Sequence, residues 1–554
     1  MEKSGINFPY ITKLAYKGSI IKSIIFLFLF FLGFSSIYTQ ETSFFDWIQI
    51  YDGPSNGIDM VNDMKMKKEI INIVGRSSGD DGSQDLCILQ YSISGDSLNT
   101  VRYLSGKNAW DEGNSIAIDL NLDFYVTGSA TFDKNSFYAI FQKYSKDGEL
   151  IWHKDLYNSK EIHSEGQKVV VDLYGDPIFG YICYEENSVV YFKKYSNDGD
   201  SLWNIKVFSD STDYYLTSMT VDSLNNLTAS VLRTFYCNSD VPCQEVEILK
   251  INQFGEILLQ KDFHQARDAI VRIDQNMNII LMTNFDSNEI KIIKLSSTGN
   301  IIWENDFSNS HFIVLRDFMI DHHNDIVVTG YGIETSGFDY ITQKISSTGK
   351  KQWEKVFSSE ENLNDFASTL TIDKDDNIYV TGNSHNYISK GVCYTIKYDS
   401  QGAFIWKIKF DAVNSIFENA KSIAIDDSNN IIIAGNVSGI TNGWNYFVLR
   451  INQKLDTDLT IPKNNLPSEY RLDQNFPNPF NPITKITYSI PYSGLVKIEI
   501  LNTLGQKIKE IENRFLLPGN YNVVFNANGL SSGVYFYKIS VNNYTSIKKA
   551  IFIK

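Results

Sequence analysis

A chain of 554 residues has room for two or more domains, and 43 % hydrophobic with 14 % aromatic residues gives ample material for cores. The formal net charge of −15 and the pI near 5.0 argue against a nucleic-acid groove, which needs a basic face. No nucleic-acid partner is expected.

The N-terminus reads as a targeting segment. Lys3, Lys13, Lys17 and Lys22 precede the apolar run IIFLFLFFLGF at 24–34. That length suits the core of a signal peptide and is too short to span a bilayer. Residues 1–40 are therefore expected to be a signal peptide, cut between about Ser36 and Gln40. No later run approaches spanning length, so no transmembrane anchor is expected.

From 44 to 455 one unit of four short strands recurs about every 50 residues. The clearest copy is ASTLTIDKDDNIYVTGNSHNYISKGVCYTIKYDSQGAFIWKIKF, 367–410. An Asp ends the first strand at Asp119, Asp172, Asp222, Asp274, Asp321, Asp373 and Asp426. A long polar residue closes the third at Gln90, Lys143, Lys194, Lys250, Lys294, Lys344, Lys397 and Arg450; this row is read as stems lying on apolar surface with their charges at the rim. A Gly follows, and four residues later a Trp in most copies, at 152, 203, 303, 353 and 406. Third strands are apolar on both sides, which requires a neighbouring sheet on each face. Such sheets, stacked around a ring, make a closed β-propeller, with eight blades favoured and seven possible. The last unit lacks a Trp-bearing fourth strand, and FFDWIQIYDG at 44–53 supplies one, with Trp47 in the Trp position. Pairing the two ends would remove both open edges. The blocks LTID…NIYVTG (370–382) and IAID…NIIIAG (423–435), followed by an aromatic–x–x–Lys–Tyr strand and Gly–Trp, resemble the bacterial SBBP-type β-propeller repeat. That resemblance speaks to fold and is almost silent on function.

Five Cys leave an odd count. Cys237 and Cys243 bracket a short polar loop and are candidates for a local disulfide in an exported chain. Cys87, Cys183 and Cys393 fall in strand runs and read as buried free thiols.

The repeat stops near 455, and 456–466 is a polar linker. Residues 467–554 run as short strands between Pro and Gly turns, the pattern of a small immunoglobulin-like β-sandwich. The blocks LPSEYRLDQNFPNPFNPITKITYSIP, VKIEILNTLGQKI, LPGNYNVVFNANGLSSGVYFYKI and KKAIFIK resemble the type A C-terminal sorting domain of the type IX secretion system. The resemblance implies that the secretion machinery is a partner and that the product is secreted or held on the outer-membrane surface. Its sorting motif would be Asn475, Pro477, Asn478, Pro479, Phe480, Asn481 and Pro482. The prolines lock φ and remove donors, so this stretch is expected to be a rigid, exposed entry segment.

Signatures of catalysis are sparse. GRSSG at 75–79 fits G-x-S-x-G but ends a strand in a polar loop, where chance explains it better. His322 and His323 are adjacent in a turn and are expected to point different ways. The acidic turns after each first strand suit backbone capping more than metal, so no cofactor is expected, with structural calcium as the lesser reading. Uniform turns at one end of the ring serve the scaffold, and the variable loops at the other end are where binding belongs. That face offers Trp110, Asp111, His163, Tyr236, His385, Tyr387 and Trp444. The expected product is a monomeric binding module for an unknown extracellular glycan, protein or polymer. A hydrolase or lyase acting on extracellular polysaccharide is the alternative.

Overall fold

The computed structural model describes residues 45–453 and 467–554, outside positions 56, 107–108, 134–135, 157–162, 208–211, 239–240, 286–289, 307–311, 334–336, 360–363, 386–390, 413–414, 439–442, 468, 492–493, 517–518 and 543. The expected signal peptide and linker lie outside the described residues. Every element among the described residues is a strand. None of them forms a helix long and apolar enough to cross a membrane.

Eight four-stranded antiparallel sheets occupy the repeat region. Seven are built from consecutive strands, over 60–103, 112–156, 163–207, 213–264, 266–306, 312–357 and 364–410. The eighth takes three strands from 417–451 and its fourth, Phe45–Tyr51, from the other end of the region. Phe45–Tyr51 runs antiparallel to Trp444–Ile451, with Ile48 opposite Leu449 and Tyr51 opposite Tyr446. The first strands of neighbouring sheets touch one another throughout, so they are innermost. Apolar clusters fill each gap between consecutive sheets, as where Phe141 stacks on Phe179 at 4.2 Å between the second and third. The eighth sheet packs on the first through Val61, Ile73 and Leu89 against Ile432, Tyr446 and Val448. Across that junction the Val61 N–H donates to Asn436 Oδ1 at 2.7 Å and Tyr446 OH to the Arg76 carbonyl at 3.0 Å.

The Gly and Trp of the repeat act between sheets rather than within one. Trp47 donates its indole N–H to the Ile93 carbonyl in the next sheet, and Trp152, Trp203, Trp303 and Trp353 do the same to Asn197, Gln253, Ser347 and Ser400, at 3.0–3.3 Å. The ring lies over the Gly of that turn. A Cβ on Gly95 would fall 2.7 Å from Trp47, and φ of +88° there suits Gly alone. Each Trp therefore fixes the position of its neighbour, and Trp47 applies the same lock where the chain ends meet.

The third-strand cations are not rim charges, contrary to the expectation from their long stems. Lys194, Lys250, Lys294 and Lys344 are buried and pair with Asp172, Asp222, Asp274 and Asp321 at 2.6–2.9 Å. Arg450 pairs with Asp426 at 2.7 Å. The other oxygen of each Asp accepts two backbone N–H groups of its own turn; for Asp274 these come from Asn276 and Asn278 at 2.9 and 2.8 Å. One carboxylate thus closes a turn and neutralises a cation on the third strand, which keeps a buried Lys tolerable. A second carboxylate repeats at the entry to the first strand. Asp59, Asp111, Asp365 and Glu418 are fully buried and accept the N–H six residues earlier, from Gly53, Ser105, Ser359 and Ala412, at 2.6–2.9 Å. Asp111 also accepts from the Ser105 hydroxyl and the Thr131 N–H. It braces a loop and is not available to a ligand, which corrects its place among the rim residues.

Cys243 is disulfide-bonded, on a strand that pairs with Leu227–Asn238, and the Cys237 side chain lies outside the described ones. Cys87, Cys183 and Cys393 are buried free thiols.

The tail packs a three-stranded sheet on a four-stranded one around Tyr488, Ile498, Phe525, Tyr537 and Phe552. The proline-rich segment is not the free entry arm expected. Phe480 is core, 2 % exposed, and bonds its N–H to Ile551 O while its carbonyl takes the Ile553 N–H. Asn475 is buried, accepts the Gln474 amide at 2.7 Å, and donates its own amide to the Pro477 carbonyl and Thr484 hydroxyl. Asn478 accepts the Ile551 N–H at 2.8 Å. The motif is thereby stapled to the last strand, and only Phe476, Pro477, Pro479 and Asn481 remain exposed.

Candidate functional site

Each innermost strand carries an extra residue that its partner strand does not match, and that of the sixth sheet carries a second at Ile313. The shared bulge positions are Asn62, Asn114, Gln167, Thr217, Arg267, Arg316, Ser368 and Lys421. A bulge releases a side chain from the pleat and re-aims it, which is why bulges gather at functional rims. The eight are not alike. Asn62 and Asn114 donate to Glu112 and Glu165 of the following sheets at 2.7 and 3.0 Å. Basic residues occupy the position only in the fifth, sixth and eighth sheets. Carboxylates therefore lie beside the bulges of the first two sheets, one of them paired with Arg76 at 3.0 Å, and a basic arc forms at those of the later sheets.

The basic arc encloses a pocket of about 440 Å³ between the sixth, seventh and eighth sheets. Arg316 and Lys421 stand exposed on two of its sides, with Asn383, His385, Tyr331 and Phe366 between them. Arg316 lies over the Tyr331 ring at 5.3 Å and donates to its hydroxyl at 3.3 Å. Phe366 meets Tyr331 edge-on at 4.8 Å and His385 at 5.2 Å. Partial burial pushes the His385 pKa down, which favours the neutral ring, and Nδ1 lies 3.2 Å from the Asn383 amide. The pocket can hold an anion on its two cations and a flat or ring-shaped body on its aromatic wall.

Of the residues expected to bind, the structure brings His385 into this pocket. Trp444 adjoins it, its ring 5.8 Å from Phe417, which in turn contacts His385 at 4.9 Å. Trp110 is elsewhere, at the entry to the second sheet, 55 % exposed with the Arg76 guanidinium 5.1 Å over its ring. His163 packs on Phe137 at 4.9 Å. The Tyr236 side chain and Tyr387 lie outside the described residues. Ser77 of GRSSG is fully buried and accepts from Arg102 at 2.8 Å, a structural contact. Sequence reasoning missed Arg316, Tyr331, Phe366 and Lys421. A signal existed: Asn114, Gln167, Thr217, Arg316, Ser368 and Lys421 all stand five residues ahead of the Asp that ends the first strand.

Comparison with known proteins bears on both halves of the chain. Residues 474–554 match a secretion system C-terminal sorting domain, and 361–388 match the SBBP beta-propeller repeat. No curated protein matches the chain. Among solved structures, Sqt1 from Chaetomium thermophilum is similar at 10 % identity and TM-score 0.45, over 73 % of this chain and 98 % of that one. The beta-propeller domain of the Trilobed protease from Pyrococcus furiosus is similar at 7 % identity and TM-score 0.38, over 63 % and 95 %. A protein of unknown function from Bacteroides caccae is similar at 15 % identity and TM-score 0.30, over 49 % and 90 %. None of these likenesses carries a functional inference. The chain is an all-β protein that bears the SBBP propeller repeat and ends in a type IX secretion sorting domain, which marks it for export to the cell surface or beyond.

Proposed function

We propose that the chain is an exported binding module whose repeat region forms a closed ring of eight blades, carried out of the cell by an immunoglobulin-like tail. Eight sheets, each packed on two neighbours, and the union of the two ends of the repeat region in one sheet support that architecture. The ligand we assign is an acidic glycan, held in the pocket of the basic arc. One observation carries the reading: Arg316 and Lys421 flank the Tyr331 and Phe366 rings in a single concavity. A uronate sugar offers both a carboxylate for the cations and an apolar ring face for the aromatics.

Titration calorimetry of the full chain with oligouronates tests it. Saturable binding is expected, weakened about tenfold or more in R316A and in K421A, the cost of losing a charge-assisted contact. Equal binding of neutral oligosaccharides, or unchanged binding in both variants, would refute the assignment. A lyase is the second reading, favoured by neutral His385 and Tyr331 sharing the concavity with Arg316. The guanidinium would neutralise the carboxylate, the imidazole would take the C5 proton beside it, and the Tyr331 hydroxyl would protonate the departing oxygen as the C4–O4 bond breaks and the C4–C5 double bond forms. Growth of the ultraviolet absorbance of unsaturated uronate on incubation would select the lyase; its absence with binding intact would select the module.

A further inference from the structure

At the opposite end of the sheets lie the uniform turns between first and second strands. At the fourth position of each turn the chain carries Leu122, Gly175, Asn225, Met277, Asn324, Asp376 or Asn429, all at positive φ. Where that residue is Asn, its side chain can serve the preceding sheet: Asn225 Oδ1 accepts the Leu173 N–H at 2.8 Å, and Asn324 Oδ1 the Gln275 N–H at 3.0 Å. The seventh sheet departs from this by placing an anion, Asp376, in the same role, accepting the His322 N–H at 3.2 Å. The turn facing it is the one that carries histidines, and both reach the same carboxylate. His322 Nδ1 lies 2.7 Å from Asp376 Oδ1 and His323 Nδ1 2.9 Å from Oδ2. The two adjacent side chains therefore converge, where divergence was expected. Asp376 is largely buried while both imidazoles are exposed.

We propose that His322, His323 and Asp376 form a binding site for a borderline transition-metal dication, of the zinc, nickel or copper class, bridging the sixth and seventh sheets. Two imidazole nitrogens and a carboxylate oxygen are the donors such ions take, whereas calcium and magnesium prefer all-oxygen sets. His323 and Asp376 belong, with Asp321, to a group whose donor atoms lie within 4.8 Å of one another. His322 joins through its 2.7 Å contact with Asp376 Oδ1, and a rotation of its exposed ring would bring Nδ1 to the same ion. Asp321 has other work. One oxygen accepts the His323 and Asp325 N–H groups at 2.8 Å and the other faces Lys344 at 2.7 Å. It is a positioning residue that fixes the turn presenting both histidines. The exposed side of the site leaves room for water to complete the coordination shell.

The test is titration of zinc, and separately nickel, into the full chain, prepared without a polyhistidine tag and stripped with a chelator. One equivalent is expected to bind and to raise Tm, with calcium and magnesium unable to displace it. D376N restores the residue found at 225, 324 and 429, so the turn is expected to fold normally. It should lose metal affinity at least about tenfold, the loss that even outer partners of a metal ligand produce. H322A and H323A should each do likewise. No saturable uptake by the wild-type chain would overturn the proposal. So would wild-type affinity in D376N and H323A, since the metal would then sit on other side chains.

Discussion

Two sets of buried carboxylates pull stability in opposite directions with pH. Burial raises the pKa of Asp59, Asp111 and Asp365 at the strand entries, and that of Asp52 to about 6. For Asp222, Asp274 and Asp426 burial also pulls upward, but the Asn partner in the turn and the paired cation outweigh it and hold the pKa down. A raised carboxyl binds more protons folded than unfolded, so its contribution falls as pH rises from the unfolded value of 3.8 toward about 6. A depressed carboxyl contributes fully above 3.8, and that contribution is lost as pH drops through its folded value. Stability should therefore be greater near pH 5 than at pH 7.5 and should fall as pH drops below 3.8, where the contribution of the paired group is progressively lost. Thermal unfolding across that range checks it; a Tm that rises steadily from pH 5 to 7.5 contradicts the balance. At a single pair, K294M leaves the Asp274 charge buried without its partner and should cost about 3–5 kcal/mol. Adding D274N keeps the turn acceptor and removes the orphan charge, so the double variant should recover part of that loss.

The repeated strands were legible because they are local. Period, turn Asp, Gly and Trp can all be counted along the chain, and the missing fourth strand of the last copy pointed to 44–53. What lies between copies was not legible. The Trp-over-Gly lock joins residues about 45 positions apart in different units, and a fixed spacing within one unit masked it. The Lys row was misread because burial of a cation is decided by a partner on another strand, Asp172 for Lys194, and not by its own neighbours. The pocket escaped because its residues come from three copies at a position where the copies differ. Two predictions belong to elements. Deleting 45–51 removes Trp47 and bares the edge of Trp444–Ile451. The melting temperature should fall, and size-exclusion chromatography should show association through the open edge. In the tail, F480A removes a core ring and should cost about 3–5 kcal/mol by denaturant unfolding. F476A, at an 80 % exposed position, should leave tail stability within about 0.5 kcal/mol of wild type. If F476A nonetheless blocks export while F480A acts through instability, the exposed Phe476 and its flanking prolines are the surface the machinery reads.

For the molecule as a whole, the net charge of −15 bears on the anionic ligand we propose, and so does the arrangement of charge. A uniformly acidic ring would repel an acidic glycan from every side. Here Glu165 and Glu112, the latter paired with Arg76 at 3.0 Å, sit beside Asn114 and Asn62 at the first strands of the early sheets, while Arg267, Arg316 and Lys421 occupy bulges of the later ones. In the ring we propose, opposite signs on two sides would orient an approaching polyanion and hold it off the acidic side. Binding should then weaken steadily with salt, since exposed cations are screened within about 8 Å at physiological ionic strength. R316E should abolish oligouronate binding, because it removes a cation and brings a carboxylate into the pocket. E112Q keeps the hydrogen bond to Asn62, removes the carboxylate paired with Arg76, lies outside the pocket, and should leave affinity within about threefold while raising the association rate. Stopped-flow measurement of both rate constants at two salt concentrations separates these effects. A salt-independent affinity, or an E112Q variant that binds as poorly as R316E, would mean that the ligand does not enter by the basic arc.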